Sequence, residues 1–172
     1  MYIKKKRPPG VGSLALNSGG VLQNNRAYSG GAVRVTDGTF TMNAGQIINN
    51  EASNYGGAVQ LADSGADFVL KGGTISGNTA AYGNSISYFD GSFTIDAESL
   101  SLSGDVFIKD GSRISLTAVP SDLEITVLCD NFTSGSRAVA TSTTDRSGMF
   151  SYSGGGHTFN WAPTFRLIYA VY

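Results

Sequence analysis

The chain has 172 residues, of which 12 are basic and 13 acidic, so its formal net charge is -1. Such a near-neutral chain has no overall attraction for nucleic acid or anionic membranes, and it has no apolar run long enough to span a bilayer. It contains 23 glycines and only 15% charged residues, which favours sheets and tight turns over helices. A hydrophobic content of 41% argues against general disorder, and the single cysteine, Cys129, excludes an intramolecular disulfide.

Residues 1–11 form a basic, proline-containing segment. Lys4, Lys5, Lys6 and Arg7 are followed by Pro8-Pro9-Gly10, without apolar periodicity. This pattern predicts a disordered tail, with a polyanion-binding arm as the alternative. No apolar stretch follows the basic residues, as a secretory signal would require. We therefore expect either an intracellular protein or a piece of a larger exported chain.

Residues 12–116 contain a repeat of about 26 residues. The sequence Gly30-Gly31-Ala32-Val33 returns as Gly56-Gly57-Ala58-Val59, 26 positions later, and a weaker copy begins at Gly83. Three phenylalanines recur at spacings of 28 and 25: Phe40, Phe68 and Phe93. A fixed period of this size indicates a solenoid, and helical solenoids need longer repeats of helix-forming composition.

Each copy has a pattern of short strands separated by turns. Residues 31–35 and 39–42 alternate in polarity, as half-buried strands do, and Asp37-Gly38 between them predicts a turn. Residues 46–48 predict a third strand, and residues 49–55 a longer loop. We therefore predict an all-β fold, a right-handed parallel β-helix of about four coils.

Equivalent residues of successive coils should stack. Phe40, Phe68 and Phe93 predict an aromatic ladder in the core. An aliphatic ladder and an asparagine ladder at a corner are predicted for two further sets, Leu22, Ile47, Ile75 and Leu100, and Asn25, Asn50 and Asn78. Each asparagine amide offers two donors and an acceptor for its neighbours and for the turn backbone.

The repeat opens partway through a coil, because residues 12–17 align with residues 38–43. A solenoid edge is normally protected by a cap. We therefore expect either a C-terminal portion of a longer array or end-to-end self-association through this N-terminal coil edge, with a short native chain as the remaining alternative. At the other end, residues 117–172 lose the repeat but keep strand-like segments, which predicts a β-rich C-terminal cap continuous with the helix.

The two repeat signatures resemble those of bacterial surface proteins of the polymorphic outer-membrane protein type. Gly30-Gly31-Ala32-Val33 is similar to their Gly-Gly-Ala-Ile signature, and residues 47–50 and 75–78 to their Phe-x-x-Asn signature with Ile for Phe. The resemblance covers residues 12–116. It implies a pectate-lyase-like β-helix, an extracellular or cell-surface location, and a role in adhesion or surface display.

Acidic residues are the candidates for carbohydrate chemistry, since sugar hydrolysis usually needs two carboxylates. The candidates are Asp37, Asp63, Asp67, Asp90, Asp96 and Glu98. Asp37 and Asp90 precede glycines and are interpreted as turn residues. Asp63 and Asp67 flank Ser64-Gly65-Ala66 and offer oxygen ligands for a cation, but no calcium-loop motif accompanies them. A lyase would also need a base such as Arg34, whose equivalents Gln60 and Ser87 are uncharged. His157 has no second ligand at metal spacing, so no metal, cofactor or catalytic group is expected.

Tyrosines recur in the loop of each coil, at Tyr28, Tyr55 and Tyr82. Tyrosine offers an apolar ring and a hydroxyl, which suits contact with sugars or proteins, while packing under the loop is the alternative. The leading hypothesis is a non-enzymatic, adhesin-like segment of an exported bacterial protein that binds glycan or a protein of a host or neighbouring cell. The alternative is a carbohydrate-active domain of the polysaccharide lyase or hydrolase type.

Overall fold

The computed structural model describes residues 12–109, 111–129, 136–152, 158–162 and 167–171. These residues form strands and one 3-10 turn at Ser147–Met149, with no α-helix among them and hence no helix able to cross a membrane. The strands are β1 (Ser13–Leu16), β2 (Val21–Gln23), β3 (Arg26–Ser29), β4 (Val33–Met42), β5 (Gln46–Ile48), β6 (Glu51–Tyr55), β7 (Val59–Leu70), β8 (Gly73–Ser76), β9 (Ile86–Tyr88), β10 (Ser92–Asp96), β11 (Leu100–Leu102), β12 (Val106–Ile108), β13 (Ile114–Ala118), β14 (Ile125–Cys129), β15 (Ser136–Ser142), β16 (Phe150–Tyr152), β17 (Thr158–Ala162) and β18 (Leu167–Val171).

Parallel pairing between successive coils builds three long ladders and one two-stranded pair. Face A contains the first halves of β4 and β7, then β9, β12, β14 and β16. Face B contains β1, the second halves of β4 and β7, then β10, β13 and β15. Face C is the sheet β2-β5-β8-β11, and the pair β3-β6 lies between faces C and A along the chain. The predicted all-β parallel β-helix is therefore confirmed, with a spacing of about 26 residues.

The aromatic ladder is confirmed as the centre of the core. Phe40 pairs with Phe68 and Phe68 with Phe93 in the strand register. Their ring centroids are 4.9 Å and 5.2 Å apart, and the ring planes are tilted by only 8° and 6°. All three side chains are buried. Like residues therefore lie above one another in successive coils, as the repeat predicts.

The aliphatic ladder is confirmed for Leu22, Ile47 and Ile75 but wrong for Leu100. In the register of β8 and β11, Leu102 lies opposite Ile75, whereas Leu100 lies opposite Gly73. The coil between these strands is two residues longer than the spacing suggests. A shift of two residues keeps the same side of a strand facing inward, so the alternating pattern alone does not distinguish the two registers.

The asparagine ladder is confirmed. The Asn25 Nδ2 donates to Asn50 Oδ1 at 2.9 Å, and the Asn50 Nδ2 donates to Asn78 Oδ1 at 2.9 Å. Each Oδ1 also accepts the backbone N–H of the asparagine one coil earlier. The Asn50 Nδ2 further donates to the carbonyls of Leu22 and Ile48. These bonds satisfy polar groups that would otherwise be buried unpaired at the corner.

Glycine is required where the chain turns from β3 or β6 into face A. Gly30 and Gly56 have φ of 65° and 66°, a left-handed conformation that favours glycine. The next residues, Gly31 and Gly57, lie so close to the following coil that a Cβ at Gly57 would come within 2.7 Å of the Thr79 nitrogen. The Gly-Gly pair of the repeat thus makes the corner tight.

Two local predictions are wrong. Asp37-Gly38 does not end a strand, because β4 continues through both residues and bends there, with a register shift between Val35 and Asp37. Residues 49–55 are not a loop throughout, because Glu51–Tyr55 forms β6 and pairs with β3. Neighbouring coils supply hydrogen-bond partners for both segments, and local turn propensity does not report such partners.

The parallel ladders continue beyond residue 116 in β14, β15 and β16. Face C has no strand after β11 among the described residues. The last pairings are antiparallel: β15 pairs with β18, and β18 with β17. These pairings join the β-rich C-terminal segment to the stack, and β17 is a strand that the sequence pattern did not reveal.

The buried Tyr88 on face A makes stability sensitive to alkaline pH. Its hydroxyl donates to the Gly91 carbonyl at 2.9 Å, and burial raises the pKa of the phenol because it disfavours the phenolate. Unfolded tyrosine ionises near a pKa of about 10, so this contribution is complete below that pH and is lost as pH rises through the folded-state pKa. Urea unfolding should show a steeper loss of stability above about pH 10 in the wild type than in Tyr88→Phe. Equal pH profiles would contradict this role.

Candidate functional site

The three tyrosines proposed as a contact surface occupy two different environments. Tyr28 is 74% exposed, whereas Tyr55 is half-buried and Tyr82 is 45% exposed. Tyr55 and Tyr82 form a β-bridge and stack at 5.2 Å between ring centroids. Only these two are structural equivalents in adjacent coils, so the even spacing of 27 does not describe one continuous series.

A register shift separates Tyr28 from the other two. In the pairing of β3 with β6, Ala27 lies opposite Ala52, but Ser29 lies opposite Tyr55. Strand β6 therefore has one additional residue, and Tyr28 faces Ser53 and Asn54. The Asn54 Nδ2 donates to the Tyr28 hydroxyl at 3.1 Å. The shift leaves the Tyr28 ring exposed while its hydroxyl is held by the next coil.

Tyr55 and Tyr82 belong to what we call the outer aromatic cluster, formed with Phe89 and Phe107. Phe107 alternates with the core residues Val106 and Ile108 and therefore lies on the outer side of face A. Ring centroids within this cluster are 4.7 to 5.7 Å apart. For Tyr55 and Tyr82, the packing alternative considered from the sequence fits this geometry.

A groove lies between the β3-β6 pair and face A, with a volume of about 420 Å³. We call it the Tyr28 groove. Its described lining consists of Tyr28, Ser29, Arg34, Asn54, Tyr55, Gln60, Ala62 and Phe89. The volume falls in the range of small-molecule sites, and the mixture of aromatic rings with a few polar groups is typical of such sites.

Arg34 and Gln60 form an ordered polar pair in this groove. They are partners in the β4-β7 register, and the Arg34 Nε donates to the Gln60 Oε1 at 2.8 Å. Gln60 is only 5% exposed, while Arg34 is exposed. Because the Gln60 oxygen faces Arg34, its amide nitrogen is directed elsewhere, and it makes no hydrogen bond with the described residues.

The residue that pairs with Gln60 in the next coil does not line the groove. Ser87 follows Gln60 in the register of face A and is fully buried. Its Oγ is the buried side-chain polar atom that lacks a hydrogen-bond partner in the described part of the chain. In the coil after Ser87, the paired residue is Phe107 of the outer aromatic cluster. Among these four paired residues of successive coils, the polar side chains that line the groove are therefore Arg34 and Gln60.

The acidic candidates do not converge on this groove. Asp63 is exposed on β7, and Asp67 lies further along that strand between Thr39 and Ser92 on face B. Asp90 caps the Gly91 N–H, as a turn residue does. Asp96 and Glu98 line a separate cavity of about 590 Å³ with Lys71. Within the described ranges, no group of three or more His, Cys, Asp or Glu side chains is placed to hold a metal ion.

Two further predictions cannot be placed in the structure. His157 and the basic segment Lys4 to Arg7 lie outside the described residues.

In the first described coil, Leu14 and Val21 are 51% and 45% exposed. Residues 1–11 precede this coil and are also outside the described part, so self-association through this edge stays a prediction.

The fold and the groove define this chain as a parallel β-helix protein with an outer groove at one corner. No protein-family model, curated protein or solved structure matches it significantly. The groove itself is therefore the feature of the molecule that bears on function.

Proposed function

We propose that this chain is a non-enzymatic β-helix that binds a glycan in the Tyr28 groove. The observation that supports the proposal is the exposed Tyr28 ring beside the ordered pair Arg34 and Gln60. An aromatic face stacks on the C–H face of a sugar ring, and nearby polar groups bind its hydroxyls. The groove offers both kinds of contact.

The groove is also organised before any ligand arrives. Asn54 holds the Tyr28 hydroxyl, Arg34 is bonded to Gln60, and both pairs join neighbouring coils of one stacked sheet system. Side chains that are already ordered lose less conformational entropy when a ligand binds. A rigid surface of this kind suits a binding protein better than a surface that must rearrange when the ligand binds.

The wider role that we propose is adhesion or display on the surface of a bacterium. The support is the repeat signature Gly-Gly-Ala-Val, which forms the tight corner beside the groove in two successive coils. The carbohydrate-active alternative, based on Asp63 or Asp67, stays a prediction, since neither residue lines the Tyr28 groove. Labelling of intact producing cells by an antibody against the chain would test the surface location, and labelling only after lysis would contradict it.

Replacing Tyr28 with alanine is expected to weaken glycan binding by about tenfold or more, because a stacked aromatic contact contributes roughly 1.5 kcal/mol. The wild type is first screened on an array of immobilised glycans, and the affinity of the variant is then measured by calorimetry. Tyr28→Phe is the matched control, since it keeps the ring and loses only the hydrogen bond with Asn54.

Tyr28→Phe should bind nearly as well as the wild type. Both variants should melt at close to the wild-type temperature, because Tyr28 is mostly exposed. The proposal would be wrong if Tyr28→Ala bound glycan normally or if the wild type bound no glycan on the array. Binding to host-cell protein without glycan binding would favour a protein ligand instead.

A further inference from the structure

Of the described residues that line the Tyr28 groove, Arg34 is the charged one, and no acidic side chain joins it there. The ion pair found among the described residues is Arg26 with Glu51, so Arg34 has no carboxylate partner within that part of the protein. A ligand that enters the groove thus meets a positive charge that is not engaged in an ion pair with any described residue, and the acidic residue Asp37 lines a neighbouring cavity with Arg34 rather than this groove.

A hydrogen bond on one edge of the guanidinium group fixes the orientation of Arg34. Nε is bonded to the Gln60 oxygen, and the two terminal nitrogens make no hydrogen bond with described residues. These two nitrogens present parallel N–H groups, the arrangement that matches both oxygens of a carboxylate. The Gln60 amide nitrogen adds a donor from a side chain that is almost completely buried.

We propose that the groove selects sugars that bear a carboxylate, with Arg34 as the residue that binds the carboxylate. The inference rests on the proposed function, because the ring of the same sugar would stack on Tyr28. Two classes of sugar carry this group, the hexuronic acids and the sialic acids, and the carboxylate is what they share. Gln60 positions Arg34 and donates to the sugar.

The test compares acidic glycans with neutral counterparts of the same backbone. Calorimetry is performed with a hyaluronan hexasaccharide and its carboxyl-reduced form, and with sialyllactose and lactose. The wild type should bind the acidic member of at least one pair about tenfold more tightly than the neutral member. This preference should fall as salt concentration rises, because ions screen an exposed charge pair.

Arg34→Gln should lose the preference and bind both members of a pair equally, and Arg34→Lys should retain only part of it, because lysine lacks the planar fork. Arg26→Gln is the matched control: it removes another exposed arginine, which lies on β3 outside the groove lining, and should leave the preference intact.

The possible results separate the two proposals. Equal binding of acidic and neutral glycans, failure of both acidic probes to bind, or a preference that persists in Arg34→Gln would overturn the selection of carboxylates. If neutral glycans still bind in a Tyr28-dependent manner, the proposed function survives. If no glycan binds at all, the proposed function fails as well.

Discussion

Replacing Phe68 with alanine is expected to lower the free energy of unfolding by about 4 kcal/mol, the largest loss among the changes considered. Phe68 has no exposed surface and lies between Phe40 and Phe93, in stacked contact with both. Truncation removes two ring contacts and leaves a cavity that the flanking strands cannot fill, because their spacing is fixed by the β-ladder.

Denaturant unfolding followed by circular dichroism measures this loss. Tyr28→Ala is the matched control, since it truncates an exposed aromatic residue and should change stability by no more than about 0.5 kcal/mol. In a stacked array, each coil is stabilised by its neighbours, so Phe68→Ala should also weaken the coupling between coils. A loss below about 1 kcal/mol would show that the aromatic ladder is not a main source of stability.

Replacing Asn50 with aspartate is expected to cost about 3 kcal/mol, although the two side chains have nearly the same shape. The Asn50 Nδ2 donates to the carbonyls of Leu22 and Ile48 and to the Asn78 Oδ1. A carboxylate has no hydrogen to donate, so it would place negative charge against three acceptors at a position that is 1% exposed.

Asn43→Asp is the control for this change. The Asn43 Nδ2 donates to the Asn17 Oδ1 at 2.8 Å, but that pair is exposed to solvent, which can hydrate a new carboxylate. The expected loss there is within about 0.5 kcal/mol. Thermal melting of both variants separates the buried ladder from the exposed pair, and similar losses in both would refute the special role of the corner ladder.

Residues that repeat on one side of the coil were predicted well from the sequence. Phe40, Phe68 and Phe93 share a spacing and a chemical type, and a buried column accepts few alternatives, so their spacing translates directly into contact. The asparagines followed the same logic, because each amide needs partners above and below it. These features depend only on the period of the repeat.

The features that the sequence did not predict depend on strand register, which the period of the repeat does not determine. Leu100 is displaced by two residues because its coil is longer, and Tyr28 is displaced by one because β6 has an additional residue. The pair Arg34 and Gln60 was visible as equivalent positions, but the groove around it was not. Its other wall comes from β6, which local sequence had indicated as a loop.

The additional residue in β6 has a consequence for how such a protein changes in evolution. It converts one tyrosine from a packing side chain into an exposed ring, while the aromatic ladder inside the coil keeps its geometry. Insertions and deletions at this corner can therefore change which side chains are exposed one coil at a time, and in the proposed binding role they would change the ligand. The phenylalanine ladder tolerates such changes because it lies on β4, β7 and β10, whereas the additional residue lies in the separate β3-β6 pair.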